Sequence, residues 1–215
     1  MRIACLHTAD SNVAVFADAC PDSQIELSHE VRADLLAAAE QAGHVTSEIA
    51  ARTADALLRL SMASDAVILT CSTLGPVVAD VAASSAVPVL RVDAALAEAA
   101  MQAGRRVVAL CAVETTVAPT RLLFEAAAAG RTVALEIGLV PGAWNSFKAG
   151  RLADYHAMIA EAADQAFLAG ADVVALAQAS MAGAAGRCRQ GRPLTSPGVG
   201  LAAALQAATL APHRT

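Results

Sequence analysis

The sequence is poor in aromatic side chains, in lysine and in charge. Aromatics make up 3% of the 215 residues and charged residues 16%. So little charge beside so much apolar material excludes a disordered or highly charged chain. One lysine, Lys148, and one tryptophan leave no basic-aromatic platform for nucleic acid, and the net charge of −5 argues the same way. No apolar run of about 18 residues escapes a charge or a turn residue, so no spanning helix and no membrane partner are expected. The opening Met1-Arg2-Ile3-Ala4-Cys5-Leu6-His7 has too short an apolar run for a signal peptide, which makes the cytoplasm the expected location. Five cysteines (Cys5, Cys20, Cys71, Cys111 and Cys188) are an odd number with no Cys-x-x-Cys spacing. That pattern opposes a disulfide framework and a zinc site, and most of them read as small buried hydrophobes.

What is present is aliphatic. Hydrophobic residues reach 56%, alanine is the commonest residue, and the mean hydropathy is +0.51. A core of small side chains favours helices packed closely on a sheet. Strands are predicted at Arg2–His7, Gln24–Ser28, Ala66–Thr70, Val87–Arg91, Arg106–Cys111, Thr132–Ile137 and Asp172–Ala177. The first, third, fifth and seventh are nearly continuous apolar runs, as parallel strands covered on both faces are. Helices are predicted at Glu30–Gln41, Ser47–Ala63, Gly75–Ala83, Ala94–Gln102, Pro119–Ala129, Leu152–Leu168 and Gly198–Leu210, with Ser47 and Ser196-Pro197 as starts. Alternating strands and helices define an α/β fold with a largely parallel sheet.

The stretch Ser64-Asp65-Ala66-Val67-Ile68-Leu69-Thr70-Cys71-Ser72-Thr73 echoes Ala171-Asp172-Val173-Val174-Ala175-Leu176-Ala177-Gln178-Ala179-Ser180. Each is a small residue, an aspartate, an apolar strand and then small polar residues. The echo implies two similar α/β lobes, 1–93 plus about 198–215 and 94–197.

Parallel α/β sheets bind ligands beyond the carboxyl ends of their strands. The residues there are His7, Thr8, Asp10 and Ser11; Cys71, Ser72 and Thr73; Glu114, Thr115 and Thr116; and Gln178 and Ser180. Hydroxyls beside helix starts suit a carboxylate or phosphate. No Gly-x-Gly-x-x-Gly or Gly-x4-Gly-Lys-Ser/Thr motif occurs, so a nucleotide cradle is not supported. Cys71 is a base or nucleophile if its position depresses the thiol pKa, and a small buried thiol if not. His7 reads as an acid, a base or a ligand, or as a hydrogen-bonded structural histidine. Asp10 and Ser11 read as a turn and cap, Glu114 as a surface charge, and Ser180 as a helix cap compatible with a carboxylate contact. His29, His44 and His213 have no convergent acid partners and read as surface groups. Tyr155 and His156 read as packed or solvated helix residues.

These motifs resemble the aspartate/glutamate/hydantoin racemase superfamily over essentially the whole chain. The carriers are Val67 to Thr73, Val107 to Cys111 with Thr115 and Thr116, and Asp172 to Ala182. The resemblance implies two lobes in a pseudo-twofold arrangement, an active site in the cleft between them, and no pyridoxal phosphate or metal. It implies two thiols on opposite faces of a substrate α-carbon, one removing the proton and the other returning one. Here the second thiol's position holds Gln178, and an amide neither takes nor gives the proton. Cys111 ends a strand but does not match that position. Arylmalonate decarboxylases, also in the superfamily, use one thiol to protonate a carbanion.

The expected activity is a cofactor-independent isomerase acting on a small carboxylate or amino-acid-like substrate. Cys71 and His7 are the catalytic candidates. Thr8, Ser72, Thr73, Thr115, Thr116, Gln178 and Ser180 are the substrate-binding candidates. The alternatives are a single-cysteine lyase or decarboxylase, and a carboxylate-binding protein without turnover. An alanine-rich surface with few charges predicts a homodimer or larger. Sedimentation at micromolar concentration should give a mass above 21.7 kDa, and a mass near that value would contradict it.

Overall fold

The computed structural model describes residues 1–22 and 24–211; His213 lies outside the described residues. The chain divides into two compact units. One is Met1–Val92 with the chain from Gly200 onward, and the other is Asp93–Val199.

The first unit runs β1 (Arg2–His7), α1 (Ser11–Asp18), β2 (Glu26–Val31), α2 (Ala33–Ala42), α3 (Ser47–Ser61) and β3 (Ala66–Leu69). A 3₁₀ turn (Gly75–Val77), α4 (Val78–Ser84) and β4 (Val89–Arg91) follow. Helix α5 (Val92–Ala103) leads into the second unit. There come β5 (Arg106–Cys111), α6 (Glu114–Ala128), β6 (Ala134–Leu139), α7 (Ala143–Lys148), α8 (Leu152–Leu168) and β7 (Val173–Leu176). A 3₁₀ helix (Ala179–Arg187), β8 (Leu194–Thr195) and α9 (Ser196–Leu210) complete the described chain.

Each unit holds one four-stranded, all-parallel sheet, in the orders β2-β1-β3-β4 and β6-β5-β7-β8. The four apolar strands are the inner ones. The polar-alternating β2 and β6 lie at edges, where one side needs no covering. In the second unit Val107, Ala109, Val173 and Ala175 point toward Leu96, Ala97, Ala100 and Phe124. Leu110, Val174 and Leu176 point the other way, toward Tyr155, Ile159 and Met181. This is the two-residue alternation of a strand buried on both faces. Alanines at the first contact let helix and sheet approach closely.

The sequence echo has a physical basis. Asp65 Oδ2 accepts from the Arg2 amide at 2.8 Å, and the Asp65 amide donates to the Arg2 carbonyl at 2.8 Å. Asp172 Oδ2 accepts from the amides of Arg105 (2.9 Å) and Arg106 (2.8 Å), and its own amide donates to the Arg106 carbonyl at 2.8 Å. Gly104 makes room for this second clamp, since a Cβ there would sit 2.6 Å from Asp172 Cβ.

Several boundaries differ from expectation. Glu30 and Val31 belong to β2, because they pair with Leu6 and His7. Helix α3 is capped by Thr46, whose Oγ1 accepts from the Ile49 amide at 3.3 Å, rather than by Ser47. Helix α6 starts at Glu114 and carries Pro119 inside it, at the cost of one backbone hydrogen bond. Ser196 is the first residue of α9, and its buried Oγ has no hydrogen-bond partner among the described residues, so it does not cap. Helices α1 and α7 and strand β8 were not legible, being eight, six and two residues long. Among the described residues no helix is long and apolar enough to cross a membrane, and all five cysteines are free.

The two backbone amides hold the Asp172 carboxyl below its ordinary value of 3.8. A carboxyl depressed on folding adds stability above its unfolded pKa and loses it as pH falls through the folded one. Asp172→Asn should therefore lower the melting temperature at pH 7, and the gap to wild type should close as pH drops through the carboxylate range. A gap that persists unchanged in acid would contradict the clamp.

Candidate active site

In the first unit, chemistry collects where β1 and β3 end. The Thr70 amide donates to the Leu6 carbonyl at 3.0 Å, and the Thr70 hydroxyl donates to the same oxygen at 3.1 Å. With its only proton so placed, Thr70 Oγ1 accepts from His7 Nδ1 at 2.9 Å. His7 Nε2 then carries the lone pair, which accepts from His29 Nδ1 at 2.9 Å. Burial first, and the neighbouring His29 second, push the His7 pKa down to about 4. Burial also lowers His29. Both imidazoles are therefore neutral at pH 7.

His7 is fully buried and both its ring nitrogens are engaged. To act as the acid or base expected of it, the ring would have to break one of these bonds. His29, expected at the surface, is half-buried and is the ring partner of His7. No sequence spacing could reveal this pair, because β1 and β2 bring it together. His44 is exposed, as expected.

Thr8 and Cys71 lie at the same sheet edge and keep 8% and 9% of their surface exposed. Ser72 and Thr73 are exposed in the turn that follows. Beyond it the Arg91 guanidinium covers Gly75, where a Cβ would lie 2.5 Å from Arg91 Cζ. Arg91 ends β4 and brings a cation beside the Cys71 turn. No spacing in the sequence reveals it, because only the pairing of β4 with β3 brings it there.

In the second unit, Cys111 is wholly buried at the end of β5. Gln178 Oε1 accepts from the Ala112 amide at 2.7 Å, and its Nε2 donates to Thr116 Oγ1 at 2.8 Å. The Thr116 hydroxyl donates on to the Val113 carbonyl at 2.6 Å. Glu114 and Thr115 are exposed in the first turn of α6. Ser180 lies within the 3₁₀ helix and does not cap it. Its Oγ pairs with the Tyr155 hydroxyl at 2.8 Å, and its carbonyl accepts from His156 Nε2 at 3.1 Å. Tyr155 is fully buried, and desolvation lifts its hydroxyl to a pKa of about 12 against the opposing pull of Ser180. Asp10 stands at the start of α1 without a side-chain capping bond, and Ser11 is that helix's first residue.

Strand register relates the two units residue by residue. Leu6 and Leu110 accept the amides of Thr70 and Ala177, each at 3.0 Å. One residue further on stand Cys71 and Gln178, in equivalent places. The first is a thiol; the second is an amide held by two bonds.

The profile of the Asp/Glu/Hydantoin racemase family matches residues 8–207, and the chain belongs to that family. Among solved structures, the Picrophilus torridus aspartate racemase superposes with a TM-score of 0.71 at 12% identity, over 97% of this chain and 94% of that one. The allantoin racemase of Pseudomonas fluorescens gives 0.62 at 18%, over 98% and 92%. An unliganded arylmalonate decarboxylase gives 0.62 at 16%, over 98% and 94%. Identities this low speak for the fold. No curated protein matches the chain.

Gln178→Ala strands the Ala112 amide and frees Thr116. It should cost about 1–3 kcal/mol in urea unfolding, the usual penalty for orphaning buried polar groups. An unchanged midpoint would show that the lock contributes nothing.

Proposed function

We propose that the protein is a cofactor-independent isomerase acting at the α-carbon of a small carboxylate or amino-acid-like substrate, with Cys71 as its base or nucleophile. The observation that carries the reading is the place of Cys71. It is nearly buried, one residue beyond the β3 pairing, at the carboxyl edge of a parallel sheet in a chain of the racemase family. Thr8, Ser72 and Thr73 are assigned to the carboxylate, beside the Arg91 cation. Hydrogen bonds to its oxygens grow stronger as the α-proton leaves and an enediolate forms, so they lower the barrier selectively. Thr115, Thr116, Gln178 and Ser180 are the polar residues beyond the strand ends of the second unit. His7 acts as a positioning residue, through Thr70, on the segment that carries Cys71. Lys148, the only lysine, is exposed at the end of α7.

A second reading is favoured by one feature. Both ends of the Gln178 amide are committed inside the protein, and an amide transfers no proton. A single thiol then serves one face only, as a decarboxylase or other lyase that protonates a carbanion would need.

A panel of small amino and hydroxy acids, hydantoins and substituted malonates, incubated in deuterium oxide, separates the readings. α-Carbon exchange with loss of optical rotation is expected of the isomerase. Carbon dioxide release marks the lyase, and binding without either marks a carboxylate-binding protein. Cys71→Ser should lower turnover by at least about 10²-fold, the usual contribution of a proton-transferring group, while carboxylate binding survives. A fully active Cys71→Ser protein beside an inactive Cys111→Ser protein would overturn the assignment.

A further inference from the structure

Cys5, His7 and His29 meet on one face of the first unit's sheet. Cys5 and His7 are two residues apart on β1 and so share a face, and His29 stands directly opposite Cys5 across the β1–β2 ladder. One ligating atom from each lies within 4.8 Å of the others. The trio uses backbone already fixed by strand pairing, so the ordering cost of assembling a site is largely met by the fold.

We infer that this cluster is a binding site for one zinc-like transition-metal ion, held by Cys5 Sγ, His7 Nε2 and His29 Nδ1. The inference is independent of the proposed isomerase reading. Three features support it. First, His7 Nε2 and His29 Nδ1 aim at one another across 2.9 Å, with ring planes 20° apart. Two imidazoles on a tetrahedral zinc, at metal–nitrogen lengths of about 2.0–2.1 Å, sit about 3.4 Å apart, so the pair need open by only about 0.5 Å. Second, the outer nitrogen of His7 donates to Thr70, which is in turn anchored on the Leu6 carbonyl. A metal-bound histidine needs such a partner to hold its tautomer and ring angle. Third, access is graded. Cys5 and His7 are fully buried, whereas His29, on the edge strand, is half-buried and leaves a way in.

The donor set fixes the class of ion. A thiolate with two imidazoles suits zinc or copper, and with no oxygen ligand in the trio it does not suit calcium or magnesium. Coordination releases the Cys5 thiol proton, and His29 moves its ring proton from Nδ1 to Nε2, so no redox step is involved. The fourth position goes to water. Bound there, the ion ties β1 to β2 at the end of the strand that positions Thr70 and Cys71.

Cobalt(II) chloride, titrated into chelator-treated, reduced full-length protein, reads the site through its colour. One equivalent should produce the visible bands of tetrahedral cobalt and a near-ultraviolet thiolate charge-transfer band, both erased by one equivalent of zinc chloride. Cys5→Ser should lose the charge-transfer band, and His29→Ala should weaken binding at least 10-fold, while Cys188→Ser in the second unit leaves the spectrum intact. Zinc should raise the melting temperature of wild type and not that of His29→Ala. His29→Ala changes a half-buried edge residue, so it serves even if Cys5→Ser fails to fold. No stoichiometric cobalt spectrum, a spectrum without the thiolate band, or a spectrum unchanged in His29→Ala would overturn the assignment.

Discussion

Everything at the candidate site hangs on the register of two parallel strand pairs, and that register is held at its far end. Asp65 and Asp172 each precede an inner strand and accept the backbone amide that opens the neighbouring one. A parallel strand buried on both faces carries little alternation to resist slippage, since either face is apolar. A charged acceptor bound to one particular amide supplies the missing specificity. A slip of one residue would turn every side chain to the opposite face, carrying Thr70 away from His7 and Gln178 away from Thr116. The clamps and the chemistry thus lie at opposite ends of the same strands, linked by four or so residues of rigid ladder.

Given the same scaffold twice, the two units use the equivalent places differently. At the end of the first strand one has His7 and the other Cys111; after the second inner strand one has Cys71 and the other Gln178. In the second unit the amide stitches the loop after β5 to the end of β7. A second thiol there could not make that stitch, because it lacks the paired donor and acceptor of a carboxamide. The carboxamide thus ties this edge together where a thiol would leave it open.

Buried polar groups in the first unit follow a strict economy. Leaving an imidazole or hydroxyl unpaired in an apolar interior costs several times what one hydrogen bond contributes on balance. The line from the Leu6 carbonyl through Thr70, His7 and His29 pairs each group in turn and ends at the half-exposed ring. Both imidazoles stay neutral by the same logic, because burial penalises the charged form. Neutral rings with directed lone pairs are also what a metal ion requires.

The sequence by itself determined the α/β class, the four apolar strands as the ones covered on both faces, and the family to which the chain belongs. Those follow from local information: runs of valine, leucine and isoleucine, alanine-rich helices between them, and short motifs such as Thr70-Cys71-Ser72-Thr73. It also located Cys71 and Gln178 at corresponding points, because the aspartate before each strand is a local signal for a clamp. Tertiary structure alone decided the fate of the polar side chains. His29 is 22 residues from His7, Gln178 is 62 from Thr116, and Ser180 is 25 from Tyr155. Arg91 reaches back over Gly75 from the next strand. Such pairs form only when strands find their register, and a hydrogen bond between distant residues leaves no periodicity or spacing in the chain.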